Sequence, residues 1–267
     1  MIGLDPGPRW KASAEGSSRA VGLIRIALAL IIWTRLGGPS GFFQATDWGD
    51  VLAEAIFFAV STAMLIGWRA RTATALTALM IAYHYVWLGF IEGQSYNQGH
   101  HLYLLMIATG LLALTPCGRS FSADRVQNPD LPETGPLWAQ NLIVLQLTAM
   151  YFWTAVDKTG AHFLSGERLE AIFILIHQGR PLYDLLSMPG VAMALAIGVV
   201  LLEYFLAAVI MIRRLHWIAV PAGISLHAGF FLMLPVSTYS ITAITLYLAV
   251  VAPEAVHRAT DRLIGRS

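Results

Sequence analysis

Long apolar segments constrain the fold of this chain more than any other feature of its sequence. A membrane-spanning helix needs about 20 predominantly apolar residues, and we identify eight such segments separated by polar turns. Charged residues make up only 12% of the chain, against about 25% in soluble domains. The sequence therefore predicts an all-α, polytopic transmembrane helix bundle. The predicted spans are about 20–36, 50–68, 71–91, 99–116, 137–157, 188–212, 215–234 and 237–253.

The remaining segments give the domain organisation. We predict a cytoplasmic N-terminal segment over 1–19, the bundle over 20–253 and a cytoplasmic C-terminal tail over 254–267. The N-terminal segment lacks the apolar core of a cleavable signal peptide, so the first span is expected to direct insertion. The polar linker 120–135 could divide the bundle into two halves of four spans.

The distribution of Arg and Lys predicts the orientation in the membrane. These residues concentrate on alternate connections, and such connections lie in the cytoplasm. Both termini are therefore expected to be cytoplasmic in an inner or plasma membrane. The predicted inner positions are Arg9, Lys11, Arg19, Arg69, Arg71, Arg119, Arg125, Arg213, Arg214, Arg258, Arg262 and Arg266. The predicted outer ones are Arg35, Lys158, Arg168 and Arg180.

This topology gathers polar side chains at the outer ends of the spans. They are Glu92, Tyr96, Asn97, His100, His101, Asp157, Lys158 and His162. The segment 166–179, between spans 5 and 6, is amphipathic and too short to span. It is predicted to form a helix at the outer face, over the end of the bundle.

Ionisable side chains inside predicted spans cost about 2.5–3.5 kcal/mol each on insertion scales, so each is a candidate for function. Arg25 could extend to the cytoplasmic face, or it could form a buried ion pair with Glu203 or Glu54. A carboxylate placed as Glu203 is must be paired or protonated. His84 and His227 could be hydrogen-bonded core histidines, or they could line a pocket. We assign Arg25 and Glu203 to a structural polar core.

Metals and nucleic acids are not expected as partners. The net charge of +1 gives no reason to expect nucleic acid, and the single Cys117 excludes an internal disulfide or a cysteine metal cage. There is no H-E-x-x-H pattern and no cluster of histidine boxes. No metal cofactor is therefore predicted.

Lys158 has two interpretations from spacing alone. Tyr151, Thr154 and Lys158 share one face of span 5. Beside Asp157 at a helix end, the lysine could be an interfacial anchor. A lysine in an apolar site loses its proton more readily, so it could instead serve as a base.

Seven stretches resemble, in order and spacing, the HTTM family, which includes the membrane domain of vitamin K-dependent gamma-glutamyl carboxylase. In SYNQGHHLYLLM, His101, Tyr103 and Leu104 match the Asn-His-x-Tyr-Leu opening of a family span, whereas His100 replaces its Asn. Lys158 matches the lysine of the Tyr-Phe-x-x-x-x-x-Lys segment. The matching stretches are AVGLIRIALAL (20–30), GWRART (67–72), SYNQGHHLYLLM (95–106), SFSADR (120–125), YFWTAVDKTGAHFLSG (151–166), LLEYFLAAVIMIRR (201–214) and LHAGFF (226–231).

The resemblance implies an oxygen-dependent quinol oxidation or epoxidation. Lys158 would be the catalytic base that deprotonates the quinol, and His101 would stabilise the developing oxyanion. The implied cofactors are a reduced quinone (vitamin K hydroquinone or a menaquinol-like compound), O2 and, where carboxylation follows, CO2. The predicted quinone-binding residues are His100, Tyr103, Tyr151, His84 and His227.

The chain departs from the carboxylase after its last predicted span, because the large extramembrane region that holds the propeptide-bearing substrate is not found there. A small or peptide substrate, or a separate substrate-recognition protein, is therefore expected. The alternative function is a non-enzymatic quinone- or lipid-binding protein, or an export or immunity factor on the same scaffold.

Overall fold

The computed structural model describes residues 13–36 and 47–265. Most of the predicted N-terminal segment, with Arg9 and Lys11, lies outside the described residues, as does Arg266. The described chain is helical apart from two three-residue strands, which confirms the all-α class. In chain order its elements are β1 Glu15–Ser17, α1 Arg19–Arg35, α2 Trp48–Ile66, α3 Ala70–Ala82, a π-helix Tyr83–Ile91, a 3-10 helix Ser95–Gln98, α4 His100–Ala113, α5 Ala123–Gln127, β2 Thr134–Pro136, α6 Trp138–Lys158, α7 Ala161–Leu164, α8 Glu167–His177, α9 Pro181–Leu186, α10 Val191–Val209, a 3-10 helix Arg213–Leu215, α11 His216–Met233, α12 Ser237–Val250 and α13 Pro253–Leu263.

Each predicted span coincides with a helix, and several of the helices have the length and composition of membrane spans. Four in the described ranges qualify: Trp48–Ile66, Ala70–Ile91, Val191–Val209 and Arg213–Met233. Helices α12 and α13 qualify only together, as a pair bent by 103° at Pro253. Helix α1 has 17 residues, and α6 carries Gln140, Asn141 and Gln146 among its apolar residues. The chain is thus a membrane helix bundle, and the count of eight spans stays a prediction.

Helices from both sides of the linker 120–135 contribute to one large hydrophobic core. Buried side chains from both sides of the linker, such as Ile24, Leu105, Leu147 and Leu246, belong to a single cluster. Helix α12 packs against both α1 and α4. The linker 120–135 therefore does not separate two halves of the bundle.

Arg25 is fully buried and binds main-chain oxygens instead of a carboxylate. Its guanidinium donates to the carbonyl oxygen of Cys117 at 3.0 Å and to that of Phe121. Gly67, at φ 72°, packs so closely that a Cβ there would lie 2.2 Å from Arg25 Nη1. Neither Glu203 nor Glu54 is its partner. Arg25 thus fixes the turns at the ends of α2 and α4, which supports its assignment to the structural polar core.

Asp124 ties the same two turns together. Its carboxylate accepts hydrogen bonds from the main-chain N–H groups of Arg69 at 2.6 Å and Ala70 at 2.7 Å. These are N–H groups of the first turn of α3, which have no partner inside the helix. The stretches 67–72 and 120–125 of the sequence are therefore in direct contact.

Arg19 joins distant parts of the chain at this end of the bundle, which we call the Arg19 end. Its guanidinium pairs with Glu133 at 3.0 Å and Asp261 at 2.6 Å, and it donates to Thr260 Oγ1 at 2.8 Å. Strands β1 and β2 pair antiparallel beside it. The segment predicted as a C-terminal tail therefore begins with a helix, α13, that is bound to α1.

The predicted amphipathic helix forms as α8, somewhat shorter than expected. Leu169, Phe173 and His177 are buried at intervals of four residues, which places them on one face. This face packs on α10 through Ala192 and Ala196. His177 Nε2 lies 3.0 Å from the carbonyl oxygen of Met233, at the end of α11.

Candidate functional site

The residues of interest lie at the end of the bundle opposite Arg19, which we call the Lys158 end. Helix α1 runs from Arg19 to Arg35, and Arg35 Nη2 donates to Ser237 Oγ at 3.2 Å, at the start of α12. Helices α3 and α4 are joined at this end by the short connection 92–99. Helix α6 begins beside β2 at the Arg19 end and ends at Lys158. Lys158 and the histidines at the start of α4 therefore lie at the same end of the bundle.

Lys158 forms an ion pair with Glu203, which lies on the neighbouring helix α10. The Lys158 Nζ–Glu203 Oε1 distance is 2.5 Å. The lysine side chain is 22% exposed and that of the glutamate 3%. The pair therefore has a buried carboxylate and an amine that reaches the surface of the bundle.

Aromatic rings surround the amine. Lys158 Nζ lies 5.5 Å from the ring centroid of Phe230 on α11 and 6.0 Å from that of Phe163 on α7. Rings at this distance attract a cation through their negative faces. At the next residue of each segment, Thr159 Oγ1 and Tyr204 Oη lie 2.9 Å apart, which also joins the end of α6 to α10.

A chain of hydrogen bonds lies deeper among the same helices. Tyr247 Oη on α12 donates to Tyr151 Oη on α6 at 2.8 Å. Tyr151 Oη lies 2.8 Å from His227 Nε2 on α11. All three side chains are buried, with 1% exposure each. Three helices thus contribute to one polar chain in an otherwise apolar core.

Two buried polar atoms beside the lysine have no hydrogen-bond partner among the described residues. They are His227 Nδ1 and Glu203 Oε2. The His227 ring contacts those of Phe230 and Tyr239. Unpaired buried polar groups cost about 1–3 kcal/mol each, so their retention indicates a ligand or ordered water.

The predicted residues of α4 are less closely integrated. His101 packs its ring against Tyr96, with centroids 5.7 Å apart, and folds back over Gly99. His100 is exposed, and Tyr103 contacts Tyr85 at 5.8 Å. Within the described part of the chain, no hydrogen bond or ring contact joins any of the three to Lys158. Their proposed roles stay predictions.

His84 belongs to a separate polar pair. Its Nε2 lies 3.9 Å from Glu54 Oε1 on α2, and its ring contacts that of Phe57 at 5.2 Å. His84 lies in the π-helix that continues α3. The structure therefore brings together Lys158, Tyr151, His227 and Glu203, but it places His84 in a different group.

Tyr247 was not identified from the sequence, and its position becomes clear only from its contact with Gly223 in the structure. A Cβ at Gly223 on α11 would lie 1.6 Å from Tyr247 Oη. The glycine therefore lets the phenol reach Tyr151 between α11 and α12. This close approach is not visible in the sequence because the two residues lie on different helices.

The side chains around Lys158 include a carboxylate, an imidazole and aromatic rings. Among the residues described, no three His, Cys, Asp or Glu side chains converge. The amine, the imidazole nitrogen and the aromatic rings are groups that bind a flat ring with polar oxygens. The expectation that no metal takes part stays a prediction.

Comparison with known proteins gives one match. The family model described as the HTTM domain matches residues 47–254, which is more than half of the chain. No curated protein and no solved structure gives a significant match. The matched range contains Lys158, Glu203, His227, Tyr151 and Tyr247.

Proposed function

The chain belongs to the HTTM domain family, that of the vitamin K-dependent carboxylase membrane domain, and from that membership we propose a membrane enzyme of oxygen-dependent quinol oxidation. The product is an oxidised or epoxidised quinone, with carboxylation of a small or peptide substrate as a possible coupled step. The observation that carries this proposal is the Lys158–Glu203 pair at the end of α6.

Lys158 has the properties needed of a base at this position. Once the Lys158–Glu203 pair has released one proton, Nζ accepts the proton of a quinol hydroxyl. Glu203 stabilises the ammonium ion that results, because its carboxylate lies 2.5 Å away in a buried position. The partial exposure of Lys158 lets the proton leave afterwards.

The surrounding residues bind and orient the ring. Phe163 and Phe230 flank the amine, and they offer ring faces against which a quinol ring can pack. A bound quinol supplies the reducing equivalents, and O2 is the oxidant. The unpaired His227 Nδ1 and Glu203 Oε2 offer one nitrogen and one oxygen to the polar groups of the ring.

We place this site at the outer face of the membrane, with both termini in the cytoplasm. The support is the predicted distribution of Arg and Lys, with Lys158 at the end of the bundle opposite Arg19. Recognition of a larger substrate is assigned to a separate protein.

Quinol turnover by purified protein tests the proposal. Wild-type protein is expected to convert vitamin K hydroquinone under O2, and Lys158→Ala is expected to lower kcat about 100-fold or more, as for loss of a general base. Lys11, the other lysine of the chain, gives the matched control, because Lys11→Ala is expected to retain wild-type turnover. Equal turnover by wild type and Lys158→Ala would remove the lysine from the mechanism. Quinone binding without turnover would favour the non-enzymatic alternative.

A further inference from the structure

The hydrogen-bond chain below Lys158 favours one arrangement of the hydrogens on His227. Each phenol has one hydrogen to donate. Tyr247 donates its hydrogen to Tyr151 Oη, so the hydrogen of Tyr151 is available for His227 Nε2 at 2.8 Å. An imidazole that accepts at Nε2 in its neutral form carries its own hydrogen on Nδ1.

The Nδ1–H group made in this way is a donor with no acceptor among the described residues. Nδ1 is buried and unpaired, whereas the other nitrogen of the same ring is fully used. Phe230 contacts both the His227 ring, at 5.6 Å, and Lys158 Nζ, at 5.5 Å. The free donor and the amine thus share a neighbour on α11.

We propose that His227 Nδ1–H donates a hydrogen bond to the reacting quinol oxygen beside Lys158, and that Tyr247 and Tyr151 hold the imidazole in that tautomer. The inference rests on the proposed quinol oxidation. The quinol O–H bond breaks, its proton moves to Lys158 Nζ, and its electron pair stays on the oxygen that His227 holds. A preorganised donor of this kind stabilises charge as it develops.

This assignment gives His227 the role that the sequence resemblance implied for His101. The His227 ring contacts that of Phe230, which also lies beside Lys158. The only ring contact of His101 among the described residues is with Tyr96. His227 is a catalytic residue in this scheme, and Tyr151 and Tyr247 are positioning residues.

Two substitutions of His227 separate its two nitrogens. The amide nitrogen of Asn can occupy the place of Nδ1, whereas that of Gln reaches the place of Nε2. We expect His227→Gln to lower kcat about 100-fold, as for loss of one oxyanion donor, and His227→Asn to stay within about 10-fold of wild type. Equal losses in the two variants, with unfolding temperatures like that of wild type, would overturn the inference.

Nitrogen-15 NMR of histidine-labelled protein tests the tautomer without turnover. The wild type is expected to show the Nδ1–H tautomer of His227, and an added quinone is expected to shift the Nδ1 resonance. Tyr151→Phe should allow His227 to adopt the other tautomer, and it should lower kcat with little change in KM. Tyr239→Phe is the matched control, since its ring also contacts His227 at 5.8 Å but, among the described residues, its hydroxyl makes no hydrogen bond to Tyr247, Tyr151 or His227.

The outcomes distinguish this inference from the proposed function. An Nε2–H tautomer in the wild type, or an Nδ1 resonance that quinone does not shift, overturns the inference even if quinol is oxidised. Such a result would fit an ordered water between Nδ1 and Glu203 Oε2. An inactive wild type with the expected tautomer and shift overturns the proposed function and retains the donor as a quinone-binding group.

Discussion

At the scale of single residues, substitutions of Lys158 and Glu203 can separate the stability of the fold from quinol turnover. Removing one member of a buried ion pair leaves the other without compensation, and it costs more than replacing both. We expect Lys158→Met to lower the free energy of unfolding by about 3 kcal/mol, at the low end for buried pairs because the lysine is partly exposed.

The double variant Lys158→Met/Glu203→Leu is expected to recover most of that stability while remaining inactive. Thermal unfolding in detergent, combined with quinol turnover, measures both effects. A double variant as unstable as the sum of the single variants would show that the pair does not act as a unit.

The sequence singled out Lys158 as a candidate functional residue and indicated that Glu203 needs a partner. It did not predict that these two residues pair with each other. A carboxylate inside an apolar segment is energetically costly, and this cost alone indicates that the carboxylate has a partner. The partner depends on helix rotation and packing, and Lys158 and Glu203 are separated by 45 positions. Arg25, the partner considered from sequence, is instead satisfied by carbonyl oxygens at the opposite end of the bundle.

At the scale of elements, the docking of α8 depends on one glycine. Gly166 has φ 85°, and a Cβ there would lie 2.4 Å from Met193 N on α10. Gly179 follows the other end of the helix with φ 79° and has no atom within 4 Å of such a Cβ. The two glycines therefore differ in packing but not in backbone conformation.

We expect Gly179→Ala to cost about 1 kcal/mol from its backbone conformation. Gly166→Ala should cost about 3 kcal/mol or more, because the clash with α10 adds to a similar backbone cost. Unfolding temperatures and the rate of proteolysis within 159–187 measure the difference. Equal effects of the two substitutions would mean that α8 does not need this close approach to α10.

Helices were predicted well because their signal is local. Hydropathy over about 20 residues located the long helices, and the interval of apolar residues located α8. The π-helix at Tyr83–Ile91 and the pairing of β1 with β2 were not predicted. The strands have three residues each, and their pairing is made by chain segments that are distant in sequence.

At the scale of the whole molecule, the orientation in the membrane can be tested with single cysteines. Cys117 is buried, so wild-type protein gives little background with a membrane-impermeant maleimide. Gln178 lies at the Lys158 end, Gln127 lies at the Arg19 end, and both are exposed. We expect Gln178→Cys to react in intact cells and Gln127→Cys to react only after permeabilisation.

The reverse pattern would place the Lys158 end in the cytoplasm. Labelling of both cysteines from one side would contradict a membrane-spanning α6. The charge distribution predicts the orientation, but the helix geometry does not test it, because a bundle has the same internal contacts in either direction.

The contacts of Arg19 bear on how the protein is made. Arg19 begins α1, yet its partners Glu133 and Asp261 are 114 and 242 positions away in the sequence. During synthesis, the translocon receives α1 long before the ribosome has produced α13. Until α13 arrives, Arg19 lacks the partner that Asp261 provides. A chain stalled on the ribosome before α13 should therefore expose this arginine, which quality-control proteases can recognise.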